Sequence, residues 1–385
     1  PVMDVNNNPR NPIIHTRSFG AVPSVVADLG AAYVRGQEAA NCISVLKHFP
    51  GHGDTSSDSH KGAPIMPFDR ERLDTVELPP FLSGVRAGAG GVMTSHISFP
   101  KLLGNATPAT LSPFFLKGIL RDEFKFDGLI ITDDIKMKGL GMSVWNATIR
   151  SIQAGADLVL TSNKDNMYET VCDMVDSLRH AVRTGDISEA RLRGSVTRII
   201  RHKLQYQIME WQEGQPVLPP RPVPSPEHAT LLAQALEVNQ QLSRNGLYWH
   251  GGARLLVPAG TVRRVFVIHR KQFRDALRMR DIDVAFTSMG QFAKYHLQPP
   301  AVVYQYMPDA DAKKAKEMHR MASAANVPLV LLAAGNPFRF ARFTFCQGML
   351  FSFSTSYESI MAMAAALNGD LEPRTTLSNM QIFPD

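Results

Sequence analysis

CISVLKHFPGHGDTSSDSH (Cys42–His60) begins as an apolar run and ends as a cluster of ionisable side chains. Its first part, Cys42–Phe49, has the length and continuous apolar character of a buried strand. Its second part, Lys47–His60, packs three histidines, two aspartates and one lysine around Pro50, Gly51 and Gly53, a combination that breaks a helix. A strand whose C-terminal end opens into a polar loop is the unit from which (β/α) barrels build their active sites.

The unit recurs. PVMDV (1–5), GGVMTSHI (90–97), GLIITDD (128–134) and DLVLTS (157–162) are also strand-sized apolar runs. Helix-length segments such as VPSVVADLGAAYVRGQEA and SPFFLKGILRDEF separate them. Lys47 and His48, Ser95 and His96, Asp133 and Asp134, and Thr161 and Ser162 all stand at the C-terminal ends of their runs. Continuous apolar strands alternating with helices predict a parallel sheet covered on both faces. Five or six strands are legible here, short of the barrel's eight, which suits a chain that starts inside the domain. The first residue is Pro1, with no initiator Met and no signal peptide, so a processed chain or a fragment is expected.

GQPVLPPRPVPSPEH (Gly214–His228) holds six prolines and reads as a stiff, extended linker. PEHATLLAQALEVNQQLSRNGL then reads as helix, and RRVFVIH (263–269), DVAFTS (283–288), AVVYQY (301–306), PLVLLAAG (328–335) and GMLFSFS (348–354) read as strands. The fold class is therefore α/β: a (β/α)8 TIM-type barrel with its first strands missing, followed by an open α/β/α sandwich. The domains are expected at 1–210 (partial barrel, catalytic), 211–228 (linker) and 229–385 (sandwich).

The 385 residues carry 41 basic and 35 acidic side chains, a net charge of +6. The basic tracts RHK (201–203) and KKAK (313–316) fall in helical segments as solvated faces, and no nucleic-acid module is evident. No apolar run approaches the ~20 residues of a membrane span. Cys42, Cys172 and Cys346 are few, odd in number and far apart, and are expected to be buried free thiols.

His48 and His52 have the i, i+4 spacing of a helical zinc pair, but Pro50, Gly51 and Gly53 break that helix and no HExxH glutamate is present. A phosphate loop lacks its GxxxxGK[ST] order. Neither a metal nor a cofactor is expected. In an extended segment Asp58 and His60, two apart, project to one side, so the carboxylate reaches the imidazole, favours its cationic form and fixes its tautomer. That makes His60 a usable proton donor near neutral pH. GLIITDD offers a strand-end nucleophile in Asp133 or Asp134. Consecutive strand residues point opposite ways, so one faces the barrel mouth, and spacing alone does not say which.

KHFPGHGDTSSDSH, ILRDEFKFDGLIITDD (Ile119–Asp134) and PVMDVNNNPRNPIIHTRSFG (1–20) resemble glycoside hydrolase family 3, specifically its bacterial β-N-acetylhexosaminidase branch. The motifs span residues 1 to about 165. The resemblance implies that Asp133 is the nucleophile of a retaining exo-β-N-acetylglucosaminidase, with His60 as general acid/base and Asp58 as its partner. It implies that Arg17, Lys47 and His48 bind sugar hydroxyls; with the stretch so divided, His52 reads as a structural residue of the Gly-Pro turn between the two groups. The implied partner is a GlcNAc-containing glycan, from peptidoglycan fragments or chitooligosaccharides. The family's first strands, with their acidic, Gly-rich D/E-Q-E-G-G-R stretch, are not found, and Lys136 stands where the nucleophile signature has a small residue. Alternatives are a family 3 β-glucosidase or β-xylosidase, which lacks the Asp58-Ser59-His60 loop, a GlcNAc phosphorylase, and a non-catalytic carbohydrate-binding barrel. Two-domain relatives imply the cell envelope or exterior, with the cytoplasm as the alternative; oligomeric state is not legible.

Overall fold

A computed structural model of the chain describes residues 1–56, 62–162, 166–220, 226–250, 263–268, 271–278, 288, 291, 301–307, 311–335, 340, 343, 345–352 and 354–374. It divides into two compact units, Pro1–Arg221 and Pro222–Asp385.

In the first unit β1 (Val45–Phe49), β2 (Gly91–Thr94) and β3 (Leu129–Ile131) form a parallel sheet in chain order. The run at 1–5 joins the β1 side through a parallel Val2–Lys47 bridge, and the run at 157–162 joins the β3 side through Ile131–Leu158. Five parallel segments thus lie in sequence order, as in an arc of a (β/α) barrel. Helices Pro23–Ala39, Leu78–Arg86, Phe114–Glu123 and Val144–Ala154 return the chain between them. Strand residues Leu46, Val92 and Ile130 pack with helix residues Val34, Phe81 and Leu116 in one buried cluster. Phe49 meets Phe81 and Phe115 edge-on in the same cluster, an arrangement aromatic quadrupoles favour. At the opposite end of the strands from the polar pairs, the fully buried Asp157 is bonded by Arg121 at 2.6 Å, Ser195 at 2.6 Å and Arg198 at 3.3 Å. A buried carboxylate needs such partners, and here they tie two helices to the sheet.

Between the predicted barrel and sandwich, β4 (Glu210–Gln212) and β5 (Gln215–Val217) form a short antiparallel hairpin with Trp211 opposite Pro216. It occupies the first part of the segment read as an extended linker, and the helix Pro226–Asn245 occupies its last residues.

The second unit is built on β6 (Leu247–His250), β7 (Arg263–Val267), β8 (Ala301–Met307), β9 (Leu329–Ala334) and β10 (Gly348–Ser352), in the order β6-β10-β9-β8-β7. Only β6 runs antiparallel. Along β9, Val330, Leu332 and Ala334 pack with Phe273, Ile360 and Met363 of helices Lys271–Arg278 and Tyr357–Asn368. Leu329, Leu331 and Ala333 pack with Ala315, Met318 and Ala322 of helix Ala312–Ala324. Alternate side chains feeding two cores make a three-layer α/β/α sandwich.

Two expectations need amendment. Leu247 begins β6, whereas the sequence reading ran its helix through that residue; the helix ends at Asn245 and the aromatic LYW segment enters the sheet. Cys42 and Cys172 are free but exposed, the first just before β1 and the second on the outer face of helix Met167–Thr184. DVAFTS lies outside the described residues except for Ser288. No helix among the described residues is long and apolar enough to cross a membrane.

Candidate active site

At the end of β1, His48 and the loop after it close on a buried carboxylate that the sequence reading had placed inside an apolar run. Asp4 is fully buried. Its Oδ1 accepts the backbone amides of His48 at 3.1 Å and His52 at 2.7 Å, and its Oδ2 lies 2.8 Å from His48 Nδ1. Burial opposes its ionisation, yet its interaction and hydrogen bonds with His48, helped by His52, hold its carboxyl below the usual carboxylate range. A carboxylate can only accept, so His48 carries a proton on Nδ1, and a guanidinium can only donate, so the contact of Nε2 with Arg17 leaves the lone pair on Nε2. That nitrogen lies 3.4 Å from Nη2 of the exposed Arg17. Lys47 precedes it, half-buried on β1. The Lys47–His48 and Phe49–Pro50 peptide bonds are both cis.

Two more histidines stand near. His52 is buried, with Nδ1 2.9 Å from the Thr55 hydroxyl. His96, also buried, lies 3.0 Å through Nε2 from the Asp134 carbonyl and 2.8 Å through Nδ1 from the Thr110 hydroxyl. A carbonyl cannot donate, so Nε2 holds the proton of the neutral ring. Burial pushes both imidazoles down, against the pull of Asp4 on His52 and of the Asp134 carbonyl and Asp133 on His96. Among the described residues no group of three metal-ligating side chains is assembled.

Asp133 and Asp134 part company. Oδ1 of Asp134 accepts the Lys136 amide at 3.0 Å, and its Oδ2 accepts the Ser162 hydroxyl. Asp133 Oδ1 accepts the Asp134 amide at 2.8 Å, and its Oδ2 has no hydrogen bond among the described residues. The charge of Asp133 acts on both His52 and His96, and that of Asp134 on His96. Lys136 is exposed.

Asp58 and His60 lie outside the described residues. The loop leading to them is described to Ser56 and is clamped. Asn11 Nδ2 donates to the His52 carbonyl at 2.7 Å and the Gly53 carbonyl at 2.9 Å, and Asn8 Nδ2 donates to the Asp54 carbonyl at 2.9 Å. Gly53 runs so close to the N-terminal strand that an added Cβ would fall 1.9 Å from the Val5 carbonyl oxygen. Asp4, Asn8 and Asn11 are the residues the sequence reading missed. The available signal was an aspartate in an otherwise apolar run, followed by an Asn-rich turn.

Residues 1–202 match the model of the glycosyl hydrolase family 3 N terminal domain. Beta-hexosaminidase A of Pseudoalteromonas piscicida is 36% identical over 220 residues, covering 53% of this chain and 37% of that protein. Beta-hexosaminidase LpqI of Mycobacterium tuberculosis is 35% identical over 208 residues, 52% of each. The chain thus spans about half the length, or less, of these curated relatives. A glycoside hydrolase family 3 beta-N-acetylglucosaminidase from Paenibacillus sp. str. FPU-7 superposes with a TM-score of 0.85 at 28% identity, covering all of this chain and 75% of that one. The match over more than half its length, on the unit that carries the strand-end cluster, means that the chain belongs to glycosyl hydrolase family 3.

Proposed function

We propose that this chain carries the reacting half of an exo-acting β-N-acetylglucosaminidase that releases terminal β-linked GlcNAc from peptidoglycan fragments or chitooligosaccharides with retention of configuration. The observation that supports it most is the division of labour at the strand ends: a carboxylate with an open oxygen, Asp133, just after β3 of the sheet whose β1 carries His48, itself in contact with Arg17. The names of the relatives, beta-hexosaminidase and beta-N-acetylglucosaminidase, point the same way.

In this reading Asp133 attacks the anomeric carbon and His60, held cationic by Asp58, protonates the leaving oxygen. Water deprotonated by His60 then hydrolyses the glycosyl-aspartate. Retaining glycosidases ordinarily pair two carboxylates, and here the histidine dyad replaces the second. Arg17 and Lys47 donate to sugar hydroxyls, while His48, fixed by Asp4 as the Nδ1–H tautomer, offers Nε2 as an acceptor. His52 and His96, whose pKa values burial lowers, lie within the field of Asp133 without adding cations that would compete for it.

The test is hydrolysis of an aryl β-GlcNAc against an aryl β-glucoside, with Asp133→Ala and His60→Ala beside the parent. His60→Ala lowers kcat by roughly 10²–10⁴-fold, the scale of general acid/base catalysis. Parent-like activity in Asp133→Ala refutes the mechanism, and a preference for the glucoside refutes the substrate. Adding phosphate and finding a sugar phosphate reassigns the reaction to phosphorolysis.

A further inference from the structure

Beneath the loop that leads to Asp58 and His60 lies a second buried carboxylate with no part in the chemistry above. Glu77 stands just before the helix Leu78–Arg86 and is 1% exposed. Its Oε1 accepts from Arg72 through Nη2 at 2.9 Å and Nε at 3.2 Å, whereas its Oε2 is buried without a hydrogen-bond partner. The orphan oxygen lies under the loop: a Cβ built on Gly51 would fall 2.8 Å from it, and Gly51 has φ +141°. The same Arg72 Nη2 also donates to Asp54 Oδ2 at 3.0 Å, and its guanidinium lies 4.6 Å from the centre of the Phe68 ring. One nitrogen therefore bridges a carboxylate of the scaffold and a carboxylate of the loop. Asp54 is four residues before Asp58 in the chain.

We propose that Glu77 is a positioning residue for the loop that precedes Asp58 and His60 in the chain: by sharing Arg72 with Asp54 it sets how firmly Gly51–Ser56 is held. The proposal rests on the acid/base reading of that pair. Sharing has a direction. With Glu77 ionised, two carboxylates divide one guanidinium, and Asp4 adds a third negative charge nearby. With Glu77 protonated, Arg72 belongs to Asp54 and the loop is held more tightly. Burial is the main reason the Glu77 carboxyl is pushed up to about 7, against Arg72 and with Asp54 and Asp4. Burial also raises Asp54, with Arg72 opposing it. The two forms of Glu77 thus exchange across neutral pH.

Hydrogen exchange of the amides of Gly51–Ser56, measured on the full chain without substrate from pH 5.5 to 8.5 and corrected for intrinsic rates, reads this directly. Protection falls through pH 7 by roughly tenfold, the lower end of what a hydrogen bond to a charged group supplies. Glu77→Gln removes the step, and so does Asp54→Asn, which leaves Glu77 in place and serves if the first variant folds poorly. Asn11→Ala lowers protection at every pH and keeps the step. A step that survives in Glu77→Gln or Asp54→Asn, or a flat profile in the parent, overturns the proposal. Because exchange needs no turnover, this outcome is independent of whether Asp133 is a nucleophile. Where activity is measured, Glu77→Gln changes the alkaline limb of kcat and leaves KM, which Arg17, Lys47 and His48 govern.

Discussion

Replacing Asp4 by Asn separates what its charge does from what its shape does. The side chain keeps its volume, and Oδ1 keeps the His48 and His52 amides, now at 3.1 and 2.7 Å. At the other position an NH2 replaces the acceptor that faces His48 Nδ1 at 2.8 Å. Two donors cannot share that bond, so the imidazole must move its proton to Nε2, where it meets the Arg17 guanidinium 3.4 Å away. Either tautomer leaves one clash. The loss is one hydrogen bond to a charged group, about 1.5–3 kcal/mol. Asp4→Ala leaves the two amides and the imidazole unsatisfied in a fully buried site, and loses roughly 4 kcal/mol or more. Urea unfolding at pH 7 orders the three proteins parent, Asn, Ala, and imidazole nitrogen NMR reports His48 switching from Nδ1–H to Nε2–H in the Asn variant. Acid sensitivity changes too. The folded pKa of Asp4 is depressed, so its stabilisation is present above the ordinary carboxylate value near 3.8 and is lost as pH falls through the lower folded value. The Asn variant loses that dependence. An unchanged tautomer, or an Asn variant as stable as the parent, would show that Asp4 merely fills space.

Gly53→Ala places a methyl 1.9 Å from the Val5 carbonyl oxygen and 2.9 Å from the Asn6 amide nitrogen, both backbone, so the loop must lift from the strand at about 3 kcal/mol or more. Gly36→Ala, in the helix Pro23–Ala39 with nothing within 4 Å of the added carbon, is the control and stabilises by about 0.5–1 kcal/mol in the same urea assay. His52 and His96 both have pKa values lowered from 6.5, so below that pH the unfolded chain takes up protons the folded one refuses and stability is lost on acidification. His96→Gln narrows the difference between unfolding midpoints at pH 7.5 and 5.5. The measurement belongs in the Glu77→Gln background, because the raised Glu77 carboxyl titrates in that window with the opposite sign.

The parts of this molecule that were legible in the sequence share a physical basis. In a parallel sheet wound in chain order, the last residue of each run is carried to the same end of the strands, so linear position converts into spatial position. Lys47, His48, His96, Asp133, Asp134 and Ser162 could be grouped on that ground before any contact was known. The strands of the second unit were equally legible because each feeds two cores and reads as an unbroken apolar run. The strand β6 was not, since it follows Asn245 after a single glycine and so extends the helical run without a break.

What the sequence hid is the support beneath the strand-end groups, and the reason is separation along the chain. Asp4 bonds residues 44 and 48 positions away, Asn11 reaches 41 and 42, and Arg72 reaches back 18 to Asp54. No periodicity connects such pairs, and Arg72 and Glu77 on their own read as an ordinary charged helix surface. Asp4 was nonetheless detectable in principle: a carboxylate inside an apolar run that must be buried requires donors, and the Gly-Pro loop after the next strand is where free backbone amides are concentrated. The same accounting separates Asp133 from Asp134, which alternation along a strand could not do. Ser162 and the Lys136 amide occupy Asp134, and His96 holds its carbonyl, so that residue fixes the strand end. Asp133 has one oxygen unbonded among the described residues and its charge acts on His52 and His96, which is the support for the nucleophile proposed above.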